Sequence, residues 1–318
     1  MNNKNKKCYS GIGGQAVIEG IMMKNMDDYA VAVRKSNGEI VVKSDKYVML
    51  SKKYKIFGLP FIRGIFSMID SFILGAKTLE YSASFFDDEV ETENDSKIDK
   101  WLNEHLNEKT MGVIMSIVTV LSVIFAILVF SLLPAAIGSL FKEITKTENH
   151  FIVAFIEGIL RIILFILYIK LISKMDEIKR TFEYHGSEHK CINCIENGWD
   201  LTVENVLKAS KEHKRCGTSF LVYVMVISIF LFMFINPPTL LLKFVSRIIL
   251  IPVVAGVSYE ILRFAGKFDN EFVNLISRPG MWMQGLTTRE PDEKEVEVAI
   301  KAVEAVFDWK KFKEEHFK

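Results

Sequence analysis

The alternation of apolar and polar residues changes period along this chain, and each change predicts a different element. YAVAVRKSNGEIVVKSDKYV, residues 29–48, alternates on both sides of Asn37-Gly38. A period of two belongs to half-buried strands, and Asn-Gly is a strong hairpin turn, so residues 1–55 are expected to hold a small β hairpin. From Pro60 to Phe86 the period becomes helical. Ile62, Ile65, Phe66, Ile69, Phe72, Ile73, Ala76 and Leu79 form one stripe, with Arg63, Asp70, Lys77 and Glu80 elsewhere. Residues 56–86 are therefore expected to be an amphipathic helix, lying in a membrane interface or packed against other helices. Residues 87–109 are dominated by acids and read as a solvated linker.

Beyond this point the polar positions become sparse. No charged residue occurs between Thr110 and Phe141. About 20 apolar residues at about 1.5 Å each suffice to cross a hydrocarbon core of about 30 Å. Four spans are expected, over 112–133, 151–172, 218–235 and 240–262. They form two hairpins, residues 110–174 and 217–264, the second turning at Asn236-Pro237-Pro238. Glu157 and Arg161, four apart in the second span, are expected to neutralise each other. The chain thus reads as a mainly α, multi-pass protein of the cell membrane, with the lipid bilayer as its partner.

Lys and Arg are dense in MNNKNKK and between Lys174 and Arg215, and sparse in the connectors after the first and third spans. By the positive-inside rule both termini and the central loop, residues 175–216, are cytoplasmic. In the C-terminal segment, 265–318, SRPGMWMQG puts Met281, Trp282 and Met283 on a Pro/Gly-marked loop. Pro291 then opens a helix with Asp292 and Glu293 in its first turn and Val296, Ile300, Val303 and Phe307 on one face. That face suits docking of a protein partner on the cytoplasmic side.

Composition supports this picture. Half of the 318 residues are hydrophobic, and mean hydropathy is +0.21. A formal net charge of +1 carries no one-signed field for phosphates, so no nucleic-acid partner is implied. Four cysteines are too few for a disulfide framework, and reduced thiols are expected. The basic N-terminus is followed by no apolar run, so it is not read as a cleavable signal.

Candidate chemistry is concentrated in the central loop. In TFEYHGSEHKCINCIE, His185 and His189 are four apart with Glu188 beside the second, an HxxEH pattern. On a helix this spacing brings both imidazoles to one metal ion and keeps a carboxylate at hand for the proton of a water. Gly186 weakens the local helix propensity by about 1 kcal/mol relative to Ala. KEHKRCGTSF adds His213 and Cys216, completing a donor set for Zn²⁺ or another divalent ion. Cys191 and Cys194 form a lone CxxC, a weak signal for redox or zinc chemistry. GIGGQAVIEGIMMK contains Gln15 and Glu19 but lacks the Gly-Lys-Ser/Thr of a phosphate loop. Its glycines suit close backbone approach, with Glu19 a further ligand or a partner for Arg63 or Arg215.

Together, GGQAVIEGIMMK, YHGSEHKCINCIE, RCGTSF and GLTTREPDEKEVEVAIKA resemble the YqhQ-like family of conserved bacterial membrane proteins, over Gly13 to about Val306. The resemblance implies a predicted metal-dependent enzyme. It singles out His185, Glu188 and His189 in an HGxEHK box, Arg215, Cys216, Gly217 and Thr218 in an RCGT box, and Gln15 and Glu19 in a GGQAVIEG box. Cys191 stands where the family pattern has a threonine, which argues against a redox pair.

The resulting expectation is an integral membrane enzyme, hydrolytic and metal-dependent. His185 and His189, with His213 or Cys216, hold the ion, and Glu188 is the general base. The alternative is a non-enzymatic scaffold or assembly factor stapled by a structural metal or a polar network. Transport ranks below both, because one ion pair in a four-span bundle does not specify a pathway.

Overall fold

The computed structural model describes residues 7–86, 108–268 and 270–317. Four strands open it: β1 Gly13–Val17, β2 Gly20–Asn25, β3 Asp28–Arg34 and β4 Ile40–Lys46, antiparallel and paired in chain order. The expected hairpin is the second half of this meander. Asn37-Gly38 lies in the β3–β4 connection, where Gly38 takes a φ of +87°. The first half escapes the pattern for two reasons. Strand β2 is nearly continuously buried, which erases alternation, and its flanking turns put Glu19 (φ 45°) and Met26 (φ 54°) in the left-handed region usually left to Gly or Asn.

Helix α1, Leu50–Lys53, leads into α2, Ile62–Ala83. The predicted apolar stripe of α2 faces outward: Ile62, Ile69, Phe72, Ile73 and Leu79 are exposed, Phe72 by 71%. Apart from Leu74, its buried face is instead small and polar, with Gly64, Gly75, Thr78 and Ser82. Asp70 on this face accepts from the Tyr47 hydroxyl (2.8 Å) and the Leu50 N–H (3.0 Å). The acidic linker falls almost wholly outside the described residues.

Next come α3, Glu108–Ile127, a π turn over Leu128–Leu132 and α4, Leu133–Thr145, so the first apolar helix continues well past residue 133. Pro134 does not end it: the proline has no N–H to give, and the π turn before it takes up the change of register while the Phe130 carbonyl finds a donor in Arg161. Helix α5 covers His150–Ile172, and α6 covers Asp176–Glu196. After these come α7, Val203–Lys208, α8, Gly217–Met233, and α9, Leu240–Lys267. Among the described residues, three stretches are long and apolar enough to cross a membrane: Ile117–Thr145, His150–Ile172 and Leu241–Lys267. The fourth apolar helix, α8, has 17 residues, about 25 Å of rise.

Two C-terminal expectations change. The SRPGMWMQG segment is not a loop but part of α10, Glu271–Thr287, which begins at an Asn270 cap and carries Pro279 internally. Tight packing holds the helix through the proline, since a side chain at Gly280 would strike Ser219. Met283 is buried and Trp282 exposed. Helix α11, Glu293–Glu304, starts two residues later than expected, after an Asp292 N-cap in a capping box with Glu295. Its buried face is Val296, Val298, Ala299, Ala302 and Val303, and α12, Trp309–His316, closes the chain.

The chain divides into two compact units. In the first (Met1–Phe85, Ile169–Val224, Pro252–Lys318), α6 and α11 pack on each other and on the sheet, burying Ile21, Met23, Tyr184, Cys191, Cys194, Val296 and Val303. The described residues of the second unit (Phe86–Tyr168, Met225–Ile251) are mostly apolar helix, with a charged cluster around Glu157. The expected Glu157–Arg161 pair is not what forms. Glu157 ion-pairs with Lys243 and Arg247, while Arg161 donates to the Phe130 carbonyl (2.9 Å) and the Ser228 hydroxyl (2.8 Å). Arg247 also donates to the Ser131 carbonyl (3.0 Å). The π turn supplies both acceptor carbonyls, because its widened register leaves carbonyls free for outside donors.

Candidate metal centre

The expected central loop is largely the 21-residue helix α6, which runs unbroken through Gly186. Glycine is required there because a Cβ would collide with the Arg289 carbonyl, and the Arg289 N–H donates to the Phe182 carbonyl (2.9 Å). The propensity lost at Gly186 is thus offset by close packing of residues 287–291 along the helix.

His185 and His189 share one face of α6, with ring centroids 4.4 Å apart. Cys216, immediately before α8, meets them: its Sγ lies 3.2 Å from His185 Nε2, and one ligand atom from each of the three lies within 4.8 Å of the others. The second nitrogens are tied elsewhere. His185 Nδ1 is 2.9 Å from the Thr287 carbonyl, and His189 Nδ1 is 2.6 Å from the Lys211 carbonyl. A carbonyl only accepts, so each Nδ1 carries the proton and each neutral ring keeps its Nε2 lone pair for the cluster.

The sulfur is prepared as a thiolate. Burial raises its proton affinity, but the charge and hydrogen bond of His185, followed by those of His189, outweigh burial and hold Cys216 well below the usual thiol range. The Thr218 N–H, in the first turn of α8, also points at it (3.3 Å). Burial lowers the His185 pKa, yet the thiolate, Glu188 and the Thr287 carbonyl bring it up to about 9. Two imidazole lone pairs and a thiolate therefore need one shared cation, a proton or a metal ion.

Glu188, beside the two histidines on α6 and within the field of both, also reaches β1. The residue is 5% exposed and its carboxyl accepts the Gly14 N–H; a Cβ at Gly14 would strike the Met22 carbonyl and Met23 (2.6 Å) and crowd the Glu188 carboxyl (3.1 Å). This is the close approach expected of the glycines. Burial raises the Glu188 pKa, against the opposing charges of His189 and His185. Gln15 packs against Gly75 of α2. Glu19 is neither a member of the cluster nor a partner of Arg63 or Arg215: it takes both arms of Arg180 (2.8 and 2.5 Å) and the Tyr184 hydroxyl (3.3 Å). Thr218 shares a hydroxyl hydrogen bond with Thr287 (3.1 Å).

His213 falls outside the three-atom cluster. Its Nε2 faces Glu196 (3.5 Å), which also ion-pairs with Arg215 and accepts the Ser10 N–H (3.0 Å). Cys191 and Cys194 lie in the core of the first unit. Burial pushes Cys191 well above the usual thiol range and Cys194 up to about 12, so neither is poised for redox or metal chemistry.

Several positioning residues were missed from sequence. Asn193 donates to the Ser210 (2.7 Å) and Glu212 (2.9 Å) carbonyls, and Lys190 to those of Leu207 and Ala209 (both 2.9 Å). Gln284 of α10 accepts the His213 N–H (2.8 Å) and donates to the His213 carbonyl (2.7 Å). A legible signal existed: His185, His189, Asn193 and Glu196, spaced four, four and three, form a polar stripe on a helix that is otherwise core.

The Glu196 cluster predicts acid lability. Burial opposes the charge on Glu196, but the His213 hydrogen bond, the Arg215 and His213 charges and the Ser10 N–H bring its pKa down to about 2 from 4.5. His213 is held at about 4, mainly by burial. Both groups bind protons less readily when folded. Their stabilisation is complete above about pH 6.5 and is lost as pH falls through about 4 and toward about 2, with Glu196 contributing about 3 kcal/mol. Thermal unfolding between pH 7 and 3 is expected to show this decline, and Glu196→Gln is expected to lower stability at pH 7 and flatten the decline. An equally steep decline in Glu196→Gln would contradict the assignment.

A family model described as "Protein of unknown function (DUF1385)" matches residues 59–309. The chain is similar to "Uncharacterized protein YqhQ" of Bacillus subtilis (strain 168), at 35% identity over 300 residues covering 91% of this chain and 90% of that protein. No solved structure matches the chain.

Proposed function

The chain belongs to the DUF1385 family of proteins of unknown function, and we propose that it is a multi-pass membrane protein with a metal-dependent, hydrolytic site where α6 meets the start of α8. Supporting the membrane reading are three helices of crossing length and the outward apolar stripe of α2, which suits the interface. In this reading α8 is a fourth, short span and both termini are cytoplasmic. Fluorescence of a C-terminal green fluorescent protein fusion tests that orientation, and a dark fusion on a stably expressed chain would reverse it.

His185, His189 and Cys216 would hold Zn²⁺ or another divalent ion, and Glu188 would be the general base. What carries this reading is the convergence of two carbonyl-oriented imidazoles and a thiolate on one point, with a buried carboxyl beside them that is not a member of the set. An ion held there would supply Lewis-acid activation of a water. The residues around it have defined tasks. The Thr287 and Lys211 carbonyls fix the ring tautomers, and the Thr218 N–H holds the sulfur. Glu188, whose pKa is raised by burial, takes up a proton more readily than an exposed carboxylate and is steadied by the Gly14 N–H.

One observation favours a second reading, a structural centre that staples α6 to the start of α8: Cys216, His189 and Glu188 are exposed by only 6%, 2% and 5%. Protein loaded with Co²⁺ separates the two. For an enzyme, azide shifts the visible cobalt bands, and Glu188→Gln keeps both the metal and the melting temperature. For a staple, azide leaves the bands unchanged, and Glu188→Gln loses metal and stability together.

A further inference from the structure

An open groove of about 730 Å³ lies in the first unit, along the last turns of α9 and the first turns of α10. Its walls are aromatic and aliphatic: Phe61, Phe264, Phe268 and Phe272 are 46–63% exposed there. The volume falls within the range of about 300–1,000 Å³ typical of ligand sites. Its charge is one-sided. Glu260 takes both arms of Arg63 (2.7 and 2.5 Å) and also lies in the field of Arg263, and against this one carboxylate Arg263 and Lys267 leave the lining with two positive charges in excess. They are four apart on α9 and thus on one helical face.

We infer that this groove seats one anionic glycerophospholipid, its acyl chains along the phenylalanines and its phosphate at Arg263 and Lys267. Two features select a lipid. A free phosphate or sugar phosphate has no use for an apolar wall, and an acidic peptide would leave the exposed aromatic rings largely unsatisfied. The groove is also continuous with Leu241–Lys267, a helix of crossing length, so a crossing α9 brings its last turns to the headgroup zone. At Gly266 the helix closes against Arg215, the residue before Cys216, so the basic end of the groove lies beside the segment that carries the sulfur.

The inference rests on the membrane reading, which is checked separately by whether the full chain stays in the membrane fraction after alkaline carbonate. The full-length protein in neutral detergent is then offered phosphatidylglycerol or phosphatidylcholine at equal concentration and observed by native mass spectrometry. One phosphatidylglycerol is expected per chain, in preference to phosphatidylcholine and undisplaced by millimolar inorganic phosphate. Arg263→Gln/Lys267→Gln is expected to weaken phosphatidylglycerol retention about 30-fold while leaving melting temperature unchanged. Phe268→Ala is expected to weaken retention of both lipids. Equal retention of the two lipids by native protein, displacement by phosphate, full retention by the double variant, or a co-purifying peptide in the lipid's place would each overturn the assignment. A chain extracted by carbonate would instead defeat the membrane reading.

Discussion

Glu157→Gln is expected to destabilise the second unit by about 3–5 kcal/mol, the cost of leaving a buried charge without its partner. Glu157 is 1% exposed and, among the described residues, is the carboxylate that pairs with both Lys243 and Arg247, with Arg161 one turn along the same helix. The glutamine has nearly the same shape and can still accept hydrogen bonds, so the loss isolates the charge. Arg161 cannot compensate, because it is a further cation beside Arg247, with its donors on the neutral acceptors Phe130 and Ser228. Thermal unfolding in detergent provides the readout. Where Glu157→Gln does not accumulate, Glu157→Gln with Lys243→Met and Arg247→Met removes the orphaned cations and is expected to restore folding. Stability within about 0.5 kcal/mol of native in Glu157→Gln alone would show that solvent, not the carboxylate, compensates these cations.

His189→Ala is expected to abolish the dependence of stability on metal. An ion held by His185, His189 and Cys216 in the folded protein, and not in the unfolded chain, stabilises by about 4 kcal/mol at a thousandfold excess over its dissociation constant. A strong chelator should therefore lower the melting temperature of native protein. It should leave His189→Ala unchanged, because two of the three donors remain and the thiolate loses one of the two imidazoles that stabilise it. Truncation itself opens a small cavity and costs some stability without chelator, so the diagnostic quantity is the chelator-induced difference. A chelator effect of equal size in both proteins would place the metal elsewhere.

How far the sequence is legible depends on the range of the physics at each position. Asn37-Gly38 is a local signal, and the β3–β4 turn forms around it. The β1–β2 turn is not local in this sense: Glu19 takes a left-handed conformation in contact with Arg180, far away in sequence. Apolar runs predict the long helices because burial or lipid contact is a property of the run as a whole. They do not predict that α2 buries its small polar face, since that depends on glycines meeting Tyr259 and Gln15. Gly186 and Pro279 are locally unfavourable to helix and are overridden by packing against Arg289 and, one residue on, between Gly280 and Ser219. The HxxEH spacing correctly brought two imidazoles together, and Cys216 was found by residue type. His213, chosen on the same grounds, is claimed by Glu196, a partner that only the polar stripe of α6 reveals.

The metal content of untagged, detergent-purified protein tests the central claim most directly, by elemental analysis per chain. One equivalent of a divalent transition metal in the native protein and none in Cys216→Ala is the result expected from two carbonyl-oriented imidazoles facing a thiolate. A native protein that carries no metal, and takes up none from stoichiometric zinc, would leave a proton as the shared cation and reduce the centre to a buried imidazolium–thiolate pair.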